Sequence, residues 1–251
     1  MNKGAYERMK ETMTLQHDGE LSIYLPQQAS KGVVLICPGG GYSWLSPREG
    51  EPVARRFGEA GWTAAVLTYT CFTGQPLEDL PLRQAGEALA VLRARFDGQR
   101  IVVCGFSAGG HLAASLGVHW RDAGLSRPDG MILCYPVITA GKYAHQGSIA
   151  NLAGEGDSAY WSLENHVSED TPPAFIWHTV TDPTVPVENS LLLMERMAAH
   201  HIPVEMHLYP QGTHGLSLAT KEVEEPEKQR FADPHVAGWF DLCISWLDTL
   251  L

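Results

Sequence analysis

The run Ile101-Val102-Val103-Cys104-Gly105-Phe106-Ser107-Ala108-Gly109-Gly110-His111-Leu112-Ala113-Ala114 constrains this chain more than any other segment. A β-branched apolar stretch predicts a buried strand, glycines interrupt it, and small helix formers follow at once. Within it, Gly105-Phe106-Ser107-Ala108-Gly109 has the Gly-x-Ser-x-Gly spacing that holds a serine hydroxyl on a sharp turn at the top of a sheet. The glycines have a steric reason. A serine in strained backbone geometry leaves no room for side chains two residues to either side. The bare pattern recurs by chance, but between a strand and a helix it makes Ser107 a candidate nucleophile.

The rest of the chain keeps the same rhythm. Residues 33–37 read as a buried strand ending in Pro38-Gly39-Gly40-Gly41, 52–60 as a short helix stopped at Gly61, and 63–69 as the next strand. Ala85, Leu89, Leu92 and Phe96 recur at helical spacing over 82–96. Strands at 131–134, 174–178 and 204–209 and helices over 187–201 and 236–251 continue the alternation, and 13–15 with 21–25 suit an antiparallel hairpin at one sheet edge. Such alternation predicts an α/β fold, a mostly parallel central sheet with helices on both faces. A single domain over 1–251 is expected, with a cap-like insertion at 139–170 that is rich in Gly, Ser, His and aromatics. Ligands of such sheets bind at the carboxyl ends of the strands, so side chains from those loops must supply the chemistry.

A serine hydroxyl needs a base, and histidine has the pKa for the task. The chain has eleven histidines, so position decides. His214 lies in a loop just beyond the last strand, at the sheet edge expected for Ser107. His111 sits on the helix after the turn and is expected to point away, and His178 at a strand end reads as structural or loop-orienting. Asp182, between a strand and a helix and before His214, is the candidate that orients the imidazole. It also reads as a turn aspartate ahead of Pro183, and Glu188 is the fallback. The order Ser, Asp, His suits this architecture. The N–H of Ala108 and those of Gly40 and Gly41 are candidate oxyanion donors. A phosphate cradle is excluded, since the P-loop lysine and the GxGxxG spacing are both missing.

A formal charge of −11 argues against nucleic acid or an anionic membrane as partner. The first residues lack the apolar core of a signal peptide, and no apolar run is long enough to span a bilayer. Five cysteines, an odd number without a CxxC pair, read as reduced core residues of a cytoplasmic protein. No metal-ligand spacing stands out, and no cofactor is expected.

From Pro38-Gly39-Gly40-Gly41-Tyr42-Ser43 through Gly105–His111, Tyr135-Pro136-Val137-Ile138 and 171–179 to Gly212-Thr213-His214-Gly215-Leu216, the chain resembles the α/β-hydrolase superfamily. It is most similar to the bacterial branch of acetylxylan esterases and carbohydrate-active carboxylesterases. The resemblance implies Ser107, Asp182 and His214 as a catalytic triad and a serine esterase that deacetylates small sugar or xylo-oligosaccharide esters through an acyl-enzyme. Many relatives have a histidine before the three glycines. Here it is Pro38, which has no N–H, so the donors must come from Gly40, Gly41 or Tyr42. Tyr42, Trp44, Tyr160 and Trp161 are the expected aromatic walls of the substrate pocket. The expected partner is a small-molecule ester, and the chain leaves room for a homo-oligomer beside it. Two other readings stand beside it: an arylformamidase-like amidase or peptidase, and a binding protein without catalysis. The polar segment 219–233 is left without a role.

Overall fold

The computed structural model describes residues 10–250 apart from 73 and 155. Strands β3 (Val33–Cys37), β5 (Ile101–Phe106), β6 (Gly130–Cys134) and β7 (Ala174–Thr179) are buried along their whole lengths. Covered on both faces, they read as unbroken apolar runs, not as alternating ones. With β1 (Lys10–Thr14), β2 (Glu20–Tyr24), β4 (Thr63–Thr68) and β8 (Val204–Tyr209) they form one eight-stranded sheet in the order β1-β2-β4-β3-β5-β6-β7-β8. The hairpin β1–β2 and the β2–β4 pair are antiparallel, and all other pairs are parallel.

Helices cover both faces. Phe57 of α1 (Glu51–Glu59) and Trp239, Cys243 and Trp246 of α7 (Trp239–Thr249) pack with Ile36, Phe106 and Trp177 on one face. Trp177 and Trp239 stack there with ring centres 5.4 Å apart. On the other face Leu89 of α2 (Leu80–Arg95), Leu112 of α3 (Ala108–His119) and Leu193 of α5 (Glu188–Ala199) pack on Leu35, Leu133 and Ile176. The sequence β3, β4, then back across to β5 makes a topological switch point between β3 and β5. The loops leaving these two strands therefore open a crevice at their carboxyl ends.

Two expectations change. The closing helix predicted over 236–251 is divided at Gly238 into α6 (Pro234–Ala237) and α7, because Asp233 Oδ1 caps a separate first turn through the N–H groups of His235 and Val236. Its predicted last residue, Leu251, lies outside the described residues. The insertion contains a regular helix, α4 (Gln146–Ala153), that hydrophobic spacing did not reveal. No described helix is long and apolar enough to cross a membrane. None of the five cysteines is in a disulfide, and burial raises the thiols of Cys37, Cys134 and Cys243.

Every residue of α3 is buried, and its two histidines fasten the insertion. His111 Nε2–H donates to the Trp161 carbonyl at 3.0 Å and His119 Nε2–H to that of Tyr160 at 3.1 Å. Burial pushes both rings from 6.5 down to about 4, so the fold holds them neutral. Between these values the unfolded chain binds protons that the folded chain refuses, and stability therefore falls as pH drops from 6.5 to 4. His111 alone contributes a loss of roughly 3 kcal/mol over that window, and His119 adds to it. Urea midpoints measured across this range should fall on acidification, and His111→Gln should flatten the slope by close to one proton; an unchanged slope would refute the assignment.

Candidate active site

Ser107 follows β5 and caps α3 with φ 54° and ψ −118°, a conformation that L residues seldom adopt. The turn is fixed on each side. Ser107 N–H donates to the Cys134 carbonyl, and its own carbonyl accepts from the N–H groups of His111 and Val137. A Cβ at Gly105 would lie 2.1 Å from the Gly109 carbonyl oxygen, and one at Gly109 would lie 2.1 Å from that of Cys37. Both glycines are required because backbone, which cannot swing aside, occupies the space.

The loop after β8 brings His214 to the serine. His214 Nε2 is 2.8 Å from Ser107 Oγ, and Nδ1 is 2.6 Å from Asp182 Oδ2. A carboxylate accepts only, so Nδ1 carries the hydrogen and Nε2 faces the hydroxyl with its lone pair. Asp182 serves two purposes with separate oxygens. Oδ1 accepts from the N–H groups of Thr184 and Val185 at 2.8 and 2.9 Å, holding the turn, while Oδ2 holds the imidazole. Burial alone would raise its pKa, but hydrogen bonds from His178, His214 and the Val185 N–H outweigh this and keep it well below the ordinary carboxylate range. His178 has the orienting place expected of it. Its Nε2–H donates to the Val185 carbonyl at 3.0 Å and lies 3.5 Å from Asp182 Oδ2, while Ser190 Oγ–H reaches Nδ1 at 2.8 Å.

The glycine loop after β3 supplies the opposite wall. Gly40 adopts φ 136°, and a Cβ there would fall 1.9 Å from the Trp44 carbonyl oxygen. The Gly39 N–H is already engaged by Glu49 Oε2 at 2.8 Å, and those of Ser43 and Trp44 by the Gly40 carbonyl. The N–H groups of Gly40, Gly41 and Ala108 have no acceptor among the described residues. Glu49 is buried, and its other oxygen accepts the Tyr135 hydroxyl at 2.6 Å. That hydroxyl in turn accepts the Ser217 N–H at 2.9 Å, so one carboxylate ties the glycine loop to the loop of His214. Arg48 strengthens the tie, donating to the carbonyls of Gly215 and Val223. Arg230 Nε–H holds the His214 carbonyl itself at 2.8 Å.

These loops enclose a cleft of about 220 Å³ lined by Gly40, Gly41, Trp44, Ser107, His145 and His214 among others. Of the four expected aromatic walls, only Trp44 lines it, 44% exposed, with Lys228 Nζ 5.1 Å above its ring. Tyr42 lies in the core, 1% exposed, its hydroxyl 3.0 Å from His111 Nδ1. Tyr160 stacks on His119 with ring centres 4.0 Å apart, and Trp161 packs beside His111 at 5.9 Å. Tyr160 and Trp161 fix the insertion to α3, Tyr42 fixes the glycine loop to it, and none of the three lines the cleft.

Comparison with known proteins agrees with this architecture. Residues 34–165 match the family described as having the alpha/beta hydrolase fold. The chain belongs to this family. Among curated relatives of this α/β-hydrolase-fold chain, endo-1,4-beta-xylanase B of Butyrivibrio fibrisolvens is 41% identical over 209 residues, covering 75% of this chain and 33% of that protein. The acetylxylan esterase of Xylanibacter ruminicola is 29% identical over 237 residues, covering 88% of this chain and 48% of that protein. The chain thus spans between a third and a half of these relatives' lengths. Among solved structures, the acetyl ester-xyloside bifunctional hydrolase of Caldicellulosiruptor lactoaceticus superposes with a TM-score of 0.82 at 35% identity, covering 93% of this chain and 88% of that one.

Sequence reasoning missed Glu49, Arg48 and Arg230; His145 reads from the sequence as a loop residue suited to a pocket wall, and it lines the cleft. Arg230 and Glu225, to which it is bound, lie in the polar segment 219–233, which therefore acts as a brace behind the His214 loop. Among the described residues, no group of three or more His, Cys, Asp or Glu side chains is placed to hold a metal ion.

Proposed function

We propose that the chain is a serine esterase that removes acetyl groups from small sugar or xylo-oligosaccharide esters. The observation that carries this reading is the line Ser107 Oγ, His214, Asp182 beside three unpaired N–H groups. In the proposed cycle His214 Nε2 takes the proton of Ser107 as Oγ bonds to the ester carbon. The carbonyl electron pair moves onto oxygen, where the N–H groups of Gly40, Gly41 and Ala108 meet the charge. Collapse breaks the bond to the alcohol, which leaves with the proton from His214. Water, deprotonated by the same nitrogen, then attacks the acetyl-serine, and acetic acid departs as the proton returns to Ser107, ionising to acetate in solvent. Asp182, held ionised, steadies the imidazolium in both halves.

A cleft of about 220 Å³ favours a short acyl group, and Trp44 offers a sugar ring an aromatic face. The names of the acetylxylan esterase and of the acetyl ester-xyloside hydrolase point the same way, whereas that of the endo-1,4-beta-xylanase names cleavage of a glycosidic bond. Cleavage of a glycosidic bond is disfavoured, because it needs two carboxyl groups flanking the bond. Among the described residues lining the cleft the one carboxylate is Glu49, with both oxygens engaged. Initial rates on aryl esters from acetyl to decanoyl should peak at acetyl or propionyl and drop about tenfold or more by octanoyl. Acetylated xylo-oligosaccharides should be turned over as well. Rates that climb with chain length would remove the acetyl assignment, and formanilide turnover above ester turnover would favour the amidase alternative.

A further inference from the structure

His145, at the start of α4 in the insertion, has no part in the chemistry above. Its Nδ1 accepts the backbone N–H of Ser148 at 3.3 Å, capping α4, and the Ser148 hydroxyl at 2.8 Å. A backbone N–H can only donate, so Nδ1 must present its lone pair. Burial and the nearby His214 both lower the pKa of the ring, which is therefore neutral at neutral pH with its hydrogen on Nε2. Nε2 has no acceptor among the described residues, and the ring lines the cleft beside Gly41, Ser107, Thr184 and His214.

The position of the ring is also fixed. Asn151, on the same helix, donates from Nδ2 to the Gly41 carbonyl at 2.8 Å, and its own carbonyl accepts the Leu77 N–H at 2.9 Å. A Cβ on Gly41 would lie 3.8 Å from His145 Cε1. Helix α4 is thereby tied to the loop that carries the proposed oxyanion donors.

The geometry points to His145 as the residue that selects the alcohol half of the ester, donating from Nε2 to a free hydroxyl next to the acetylated carbon. This rests on the esterase reading. The carbonyl oxygen has three backbone donors at hand, and the bridging oxygen must receive its proton from His214. A substrate oxygen that still needs a donor is then one on the alcohol, and a partly acetylated sugar has such a hydroxyl where an aryl acetate has none.

His145→Asn separates this role from the cap. Asparagine caps helices well, so α4 is retained, but its side chain is too short to reach the cleft. The test compares kcat/KM for a monoacetylated xyloside with a free neighbouring hydroxyl, its deoxy analogue, and phenyl acetate, with melting curves alongside. The wild-type chain should prefer the hydroxyl-bearing ester over the deoxy analogue by about tenfold, the range of one hydrogen bond. In His145→Asn the preference should shrink to within about twofold, chiefly through KM, while phenyl acetate turnover stays within about twofold. His145→Gln, with an N–H that extends further, should restore part of the preference. A preference that survives in His145→Asn would show a capping residue only. An equal loss on all three esters would place the ring on the shared carbonyl and overturn the selectivity role. A wild-type chain inert toward every ester would count against the esterase reading itself.

Discussion

Ser107→Ala should lower turnover of phenyl acetate by about 10⁵-fold or more and leave the fold intact. The loss is large because Oγ is the atom proposed to bond to the ester carbon, with His214 Nε2 already 2.8 Å away to take its proton. The fold is spared because alanine accepts φ 54° at the same cost as serine, and the turn is held by backbone bonds to Cys134, His111 and Val137. What activity remains would come from the N–H groups of Gly40, Gly41 and Ala108, which the substitution does not touch. Melting curves should coincide with those of the wild-type chain, and a fluorophosphonate probe that labels wild type should fail on the variant. Persistent labelling, or a rate within a hundredfold of wild type, would move the nucleophile elsewhere.

Gly109→Ala should destroy the fold and not just the chemistry. One added methyl would sit 2.1 Å from the Cys37 carbonyl oxygen and 2.4 Å from that of Pro38. Both belong to the backbone where β3 ends, so relief requires α3 to move away from the sheet. The helix is buried throughout, and such a shift opens the core along its length. A loss above about 4 kcal/mol is expected, enough to lower the melting temperature by about 8 °C or more, or to send the chain into aggregates. Gly147→Ala is the matched control. It lies within α4, where the new methyl would meet only His145 Cε1 at 3.6 Å, so it should be neutral or slightly stabilising. A Gly109→Ala melting curve within about two degrees of wild type would contradict the steric account.

What the sequence disclosed follows from how far each signal reaches along the chain. The strands β3, β5, β6 and β7 announce themselves because burial on both faces leaves continuous apolar runs. Ser107 is visible because strain demands glycine at fixed offsets, a constraint that works over five residues. Asp182 and His214 follow from chain order once the sheet is laid out. Glu49 and Arg48 are different, since their meaning lies in partners as distant as Tyr135, Gly215 and Val223. No periodicity encodes such contacts. Tyr42 misled for a related reason. It follows three glycines on an evident loop, yet φ 59° turns its ring into the core, where its hydroxyl meets His111. Helix α4 escaped notice because it is short and begins with a histidine, which is not among the usual capping residues.

The bond from Glu49 through Tyr135 to Ser217, doubled by Arg48, has a consequence for anyone recombining segments among relatives. Residues 38–50 and 212–230 form a single inheritable module, even though more than a hundred and fifty positions separate Arg48 from its acceptors. A chimera that imports one loop without the other inherits half of a lock. The two should be exchanged as a pair, with Tyr135 as their common pin.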